Sequence, residues 1–418
     1  MRIIVNELKK MWKVKILVII IALCAAYFAA SLHGWIRVYP RGTWFSFVDI
    51  AHHLTEHYGS TLEQEEFESF IAHRETILDE LDVFIQANAL FSAMEIFSFN
   101  DLQDARQRLG LRYDTLSDEE RSQFHGISLE LGYIVRTERY GDLVSENETP
   151  EAYLRLRRLD DAVHRYRTNI LGDDGTWEWG SSIDSFMQRN PLNEQEYQRL
   201  TEIRDSGELL NIVARDTVWN TWQYTRSLAV LVILITLILV SPLVTTDRAN
   251  RVNWLQYSSK QGRNILKKQY IAVLLSAVGM TTILVTVFIG VFMLTTEVYA
   301  FWNNGINSFL TDTFHWLSVT FGQYMLLMVG VMYVLSIGSA TFAFVLSRFS
   351  PNMIRLMFKV IPFFIAALML SNWVLDNFLA IHIGGNLLVQ ISSLLVSLAF
   401  GGVIALIVLC REKRVEIV

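Results

Sequence analysis

The sequence predicts an all-α membrane protein, with six transmembrane helices and a helical extracytoplasmic domain inserted between helices 1 and 2. Three observations predict it. Of the 418 residues 52% are hydrophobic and the mean hydropathy is +0.29, above the usual value for a soluble chain of this size. The apolar residues gather into charge-free runs at 16–32, 228–244, 270–294, 324–346, 360–375 and 387–410, the fifth extending to 381 if Asp376 sits at the interface. About 17 to 20 such residues suffice to cross a hydrocarbon core. Finally, Lys and Arg alternate from one side to the other: 17 fall on the segments of one parity, while the two short loops of the other, 295–317 and 376–386, hold none. The positive-inside rule then places both termini in the cytosol of a cell and residues 33–227 outside it.

Residues 1–15 form a basic amphipathic lead holding Arg2, Lys9, Lys10, Lys13 and Lys15. The first span, 16–32, has the basic start of a secretory signal. It ends in Ser31-Leu32-His33-Gly34-Trp35 with no small-x-small cleavage site, and five spans follow, so it reads as an uncleaved anchor.

The outer segment, 33–227, carries 35 Asp or Glu, 19 Arg and no Lys, a net charge of 19 − 35 = −16. Such a surplus can draw a cationic ligand or simply keep a surface solvated. Cys24 and Cys410 belong to predicted spans, so this domain relies on its core without disulfides. Its pattern is helical. Ser60 or Thr61 is placed to cap a helix whose apolar face runs from Leu62 through Phe70 and Ile77 to Ile85. Ser117 to Glu120 reads as a capping box, and Pro150 as the first turn of a helix ending near Gly172. Further helices are expected over Asn193 to Arg204 and Val213 to Arg226, the latter running into the second span at 228–244. A turn-rich insert, "GDDGTWEWGSS", separates these two groups.

The remaining elements are a basic loop at 245–269, a third span at 270–294, an outer loop at 295–323 and a fourth span at 324–346. A cytosolic loop at 347–359, a fifth span at 360–381, an outer loop at 382–386, a sixth span at 387–410 and a tail at 411–418 complete the chain.

Few motifs carry chemistry. His53-x-x-Glu56-His57 has the spacing of an inverted zinc-protease signature, in which the two histidines bind metal and the glutamate activates water. It lacks an identifiable third ligand, and an interfacial or solvated helix just outside the membrane is the plainer reading. "DDG" at 173–175 fails as a calcium loop, because Ile170 and Gly172 stand where carboxylates are needed. Asn147-Glu148-Thr149 is a glycosylation sequon, meaningful in a eukaryotic secretory host. No G-x-x-x-x-G-K-[ST] phosphate loop occurs, and nothing points to nucleic acid. Polar residues within the spans mark pathways by default, which makes Asn372, Asp376 and Gln390 candidates. The otherwise apolar spans suit a hydrophobic or amphipathic substrate better than an ion.

The 245–268 stretch, "TTDRANRVNWLQYSSKQGRNILKK", is more ordered than a plain connection. Asp247 and Arg248 stand at the membrane exit. A short amphipathic helix can follow, turning Trp254 and Leu255 toward apolar surface, and Gly262-Arg263 can turn the chain into the third span. This wording, "LQYSSKQGRN" above all, resembles the permease subunits of type-2 ABC exporters, in particular Gram-positive members with a large outer domain between spans one and two. "NELKKMWK" resembles that family's elbow helix. The resemblance covers the topology of the chain and the wording of about 30 residues. It implies that Asp247, Leu255, Gly262 and Arg263 dock on a separate ATPase, which binds ATP and magnesium, and that a homodimer or a related permease completes the pathway in membrane lipid. The family's usual glutamate is replaced by Asp247, and its lysine at the foot of the third span has no certain match. Two other readings remain: a receptor or accessory protein anchored by its spans, and a membrane zinc protease at His53, Glu56 and His57.

Overall fold

The computed structural model describes residues 2–39, 47–111, 117–123, 151–172, 183–249, 265–378, 382–384, 388–389 and 391–392. Among them the chain is helical, with three isolated β-bridges and no strand. Five helical stretches are long and apolar enough to cross a membrane: Val14–Val38, Arg215–Asp247, Lys267–Thr296, Phe321–Arg348 and Ile354–Asp376. They match the first five predicted runs, and the multi-pass reading rests on them. The sixth run, 387–410, lies almost wholly outside the described residues, as do "GDDGTWEWGSS" after its first glycine and the 147–149 sequon.

The first four helices extend past their apolar runs at both ends, while the fifth begins earlier than its run, at Met353, and is described as far as Phe378, short of 381. Arg215–Asp247 is the axis of the bundle: 78% of its apolar window is buried, against 11% for Val14–Val38 at the periphery. Polar pairs fix its neighbours. The Tyr224 hydroxyl donates to the Phe288 carbonyl at 2.7 Å while its ring stacks on Phe292, centroids 4.3 Å apart. Thr236, Ser336 and Thr281 form a buried hydroxyl chain of 3.0 and 2.7 Å joining the second, fourth and third spans. Interhelical bonds of this kind contribute about 0.6 kcal/mol each. They set register more than stability.

The face bearing residues 47–214 is called outer below. Helix Gln64–Ala87 buries Phe67, Phe70, Ile77, Leu81 and Ile85 as its periodicity requires. Its N-cap, however, is Glu63, in a capping box with Glu66, rather than Ser60 or Thr61. The preceding helix Val48–Tyr58 ends at Gly59, whose φ of +87° suits glycine, and Thr61 is drawn aside into a bridge with Asn211. The Ser117–Glu120 box forms, with backbone–side-chain bonds of 2.8 and 3.3 Å. Helix Glu151–Tyr166 runs on through a π-helical turn to a left-handed Gly172, and Asn193 caps Glu194–Asp205.

The outer segment does not close a core of its own. Phe309, from the loop between the third and fourth spans, lies edge-on to Tyr166, which stacks on Phe67. A second core joins Ile183, Leu200, Ile203 and Leu209 to Phe314 of that loop and to Ile383. The predicted outer loop 295–323 is therefore a structural plate and no mere connection. Its far end is tightly fitted: a Cβ on Gly322 would lie 2.5 Å from the Trp302 ring, whose carbonyl accepts from the Gly322 amide at 2.9 Å. Gly322→Ala is expected to lower stability by about 1–3 kcal/mol, the usual cost of overpacking. A thermal midpoint equal to wild type would show that Trp302 yields freely.

Candidate functional site

Two polar clusters mark opposite ends of the second span. At the inner end the N-terminal helix Arg2–Met11 turns Glu7 and Met11 inward, so its basic last turn packs against the bundle. Lys10 Nζ reaches Glu7 Oε1 at 2.8 Å and the two Asp247 carboxylate oxygens at 2.9 and 3.0 Å. Gln269 Nε2, at the start of the third span, donates to Asp247 Oδ2 at 3.1 Å and Glu7 Oε2 at 3.3 Å. Glu7, Asp247 and Gln269 are each 3% exposed. Burial alone would lower the Lys10 pKa, but hydrogen bonds and charge from Glu7 and Asp247 outweigh it and hold the ammonium above its ordinary value. Just past the end of that helix, Trp12 Nε1 donates to Ser276 Oγ at 3.1 Å, fastening it to the third span.

Asp247 therefore sits on a helical continuation of the second span, Pro242–Ala249, with its carboxylate turned onto the N-terminal helix. Arg248 lies on that continuation, but its side chain is outside the described residues, as are Trp254, Leu255, Gly262 and Arg263. Sequence reasoning missed Glu7, Lys10 and Gln269. An acid three residues before a lysine in an otherwise basic helix was the available signal.

At the outer end Arg226 gathers two of the three pathway candidates. Its Nε donates to Asn372 Oδ1 at 3.1 Å, and its Nη1 lies 3.1 Å from Asp376 Oδ1. Trp222 Nε1 donates to the Leu375 carbonyl at 3.2 Å. Gln390 is outside the described residues.

Above them the outer plate is bolted to the outer segment. Arg199, 8% exposed, donates through Nη2 to both Glu208 oxygens at 3.0 Å and to Ser318 Oγ at 2.8 Å, and through Nε to the Trp316 carbonyl at 3.1 Å. Glu208 also accepts from Asn307 Nδ2 at 2.7 Å and Ser318 Oγ at 2.8 Å. Burial pushes the Glu208 carboxyl pKa up, but bonds from Asn307 and Ser318 and the Arg199 guanidinium prevail, leaving it below the ordinary value. Backbone bonds continue the joint, with Phe309 N donating to the Leu209 carbonyl at 2.9 Å and Asn304 Nδ2 to the Ile212 carbonyl at 2.6 Å.

The zinc-protease candidates fall on helix Val48–Tyr58, where the His53 and His57 ring centroids are 4.1 Å apart and His57 Nδ1 lies 2.8 Å from the His53 carbonyl. No group of three His, Cys, Asp or Glu side chains able to hold a metal occurs among the described residues. The pair alone supplies too few ligands for a catalytic zinc.

Compared with protein-family models, with curated proteins and with solved structures, the chain matches none.

Proposed function

We propose that the chain is the transmembrane permease subunit of an ATP-driven exporter that moves a hydrophobic or amphipathic substrate outward. The observation that carries this reading is the Lys10 cluster. It clamps the N-terminal helix, the end of the second span and the start of the third at the mouth of segment 250–264. A partner that displaces this segment pulls on all three at once. The resemblance of "LQYSSKQGRN" to the docking segment of type-2 permeases supplies the partner, a separate ATPase binding ATP and magnesium. Hydrolysis falls to that partner because the sequence carries no phosphate loop.

The charge pattern supports a sixth span at 387–410, cytosolic termini and an extracellular outer segment. Six spans make half a pathway, so a second copy or a related permease completes it. Closure of two ATPase subunits would move two such segments and tip the paired halves between inward-open and outward-open states.

The test is copurification from native membranes of wild type, Asp247→Asn and Arg263→Ala, with partners identified by mass spectrometry. An ATPase should accompany the wild type and drop at least tenfold in Arg263→Ala. If no phosphate-loop protein appears with the wild type, the exporter reading fails and an anchored receptor takes its place.

A further inference from the structure

Where the second, fourth and fifth spans end on the outer side, a cavity of about 290 Å³ opens beneath the outer plate. That volume is at the small end for ligand pockets, enough for a polar head and the first part of a tail. One wall is aromatic: Trp219 and Trp222 meet edge to face, centroids 4.6 Å apart, with Tyr324 also lining the cavity. Trp219 is 47% exposed, an unusual position for a large ring in a concave site.

Among the described residues, the other wall presents one hydrogen-bonding atom without a partner and a carboxylate oxygen with a single one. His315 is 6% exposed, and its Nδ1 is buried with no hydrogen bond. Asp376 Oδ1 is also buried, and its one partner is the Arg226 guanidinium, an ion pair at 3.1 Å without hydrogen-bond alignment, so it keeps room to accept. A buried atom such as His315 Nδ1 is costly unless something supplies the missing partner. Desolvation, aided by the nearby His382, pushes the His315 pKa down to about 4, so the imidazole is neutral near pH 7 and can accept. The arginine lining the cavity, Arg215, is already matched by Asp312 at 2.9 Å, and Arg226, behind Asp376, by that carboxylate. An anion would have to displace a carboxylate. The net charge of −16 over residues 33–227 further favours a cationic visitor.

We propose that this cavity binds an amphipathic amine, its apolar body against Trp219 and Trp222 and its ammonium donating to His315 Nδ1 and Asp376 Oδ1. The tryptophan faces add cation–π attraction to these hydrogen bonds. The proposal is independent of coupling to an ATPase, and its test contains none.

The full chain in zwitterionic lipid nanodiscs would be titrated with dodecylamine, dodecyltrimethylammonium and dodecyl sulfate by calorimetry, with empty nanodiscs subtracted. Saturable binding of about one dodecylamine per chain is expected. The trimethylammonium probe, which has no N–H to donate, should bind about tenfold more weakly, and dodecyl sulfate no better than to empty discs. Asp376→Asn should weaken the amine at least tenfold. Trp219→Ala, at a half-exposed ring whose loss leaves the core intact, should do so several-fold. Partition equal to empty discs, tighter binding of dodecyl sulfate, or wild-type affinity in both variants would each overturn the assignment.

Discussion

Arg199→Ala is expected to loosen the joint between the outer segment and the outer plate by about 3–5 kcal/mol, the range for breaking a buried ion pair from one side. The arginine is 8% exposed and serves four partners on two segments more than 100 residues apart: Glu208, Glu202, Ser318 and the Trp316 carbonyl. Its loss leaves Glu208 with Asn307 and Ser318 as donors but no countercharge. Hydrogen exchange of amides in 304–320 should accelerate roughly 100-fold or more, since about 1.4 kcal/mol is a factor of ten. An Arg199→Met, Glu208→Leu double variant should recover much of the loss, because the penalty lies in the orphaned charge. Unchanged exchange in Arg199→Ala would mean that the backbone bonds and the Phe309 contact hold the plate unaided.

Acid is expected to weaken the same region through His315. Above about pH 6.5 its imidazole is neutral in folded and unfolded chains alike and adds no pH dependence. As pH falls below that value the unfolded ring takes up a proton while the folded one resists until about 4. Stability is lost across that window, by about 3 kcal/mol in all. Glu208 acts in the same direction lower down. Its folded pKa is depressed, so its contribution is present above the ordinary carboxyl pKa and disappears as pH falls through the folded value. His52, whose pKa burial also lowers, adds to the histidine window, so the comparison must be with His315→Gln. Between pH 7.5 and 4.5 the thermal midpoint of the wild type in nanodiscs should fall further than that of the variant. Parallel curves from pH 7.5 to 4.5 would sink the prediction.

Much of the bundle was legible because hydropathy is a local property. Five apolar runs became five helices, and the expectation that Val213–Arg226 runs into the second span is met by the unbroken helix Arg215–Val240. The capping box at Ser117 was equally readable, whereas the cap of Gln64–Ala87 moved from Ser60 or Thr61 to Glu63. The joints were not. Lys10 meets Asp247 across 237 positions and Arg199 meets Ser318 across 119, and no periodicity announces such partners. The outer loop at 295–323 was underestimated for the same reason. Its polar Asn304, Asn307 and Ser308 look solvated in sequence, yet they are buried as hydrogen-bonding pieces of a shared core. Of the candidate site residues, Asp247, Asn372 and Asp376 are each engaged in a cluster, but their partners could not be named without the fold.

The second span also imposes a thermodynamic constraint. From Arg215 to Asp247 it is 33 residues of helical chain, about 50 Å end to end, with Trp219 and Trp222 near one tip and the Lys10 cluster at the other. A shift at one tip can reach the other only through the joint at Ser241 and Pro242, where helix Arg215–Val240 gives way to Pro242–Ala249. Whatever occupancy of the outer cavity does to the affinity of a partner for segment 250–264, that partner must do to the cavity by the same factor. A ligand that fails to change the inner affinity is therefore one whose own binding no inner partner can regulate.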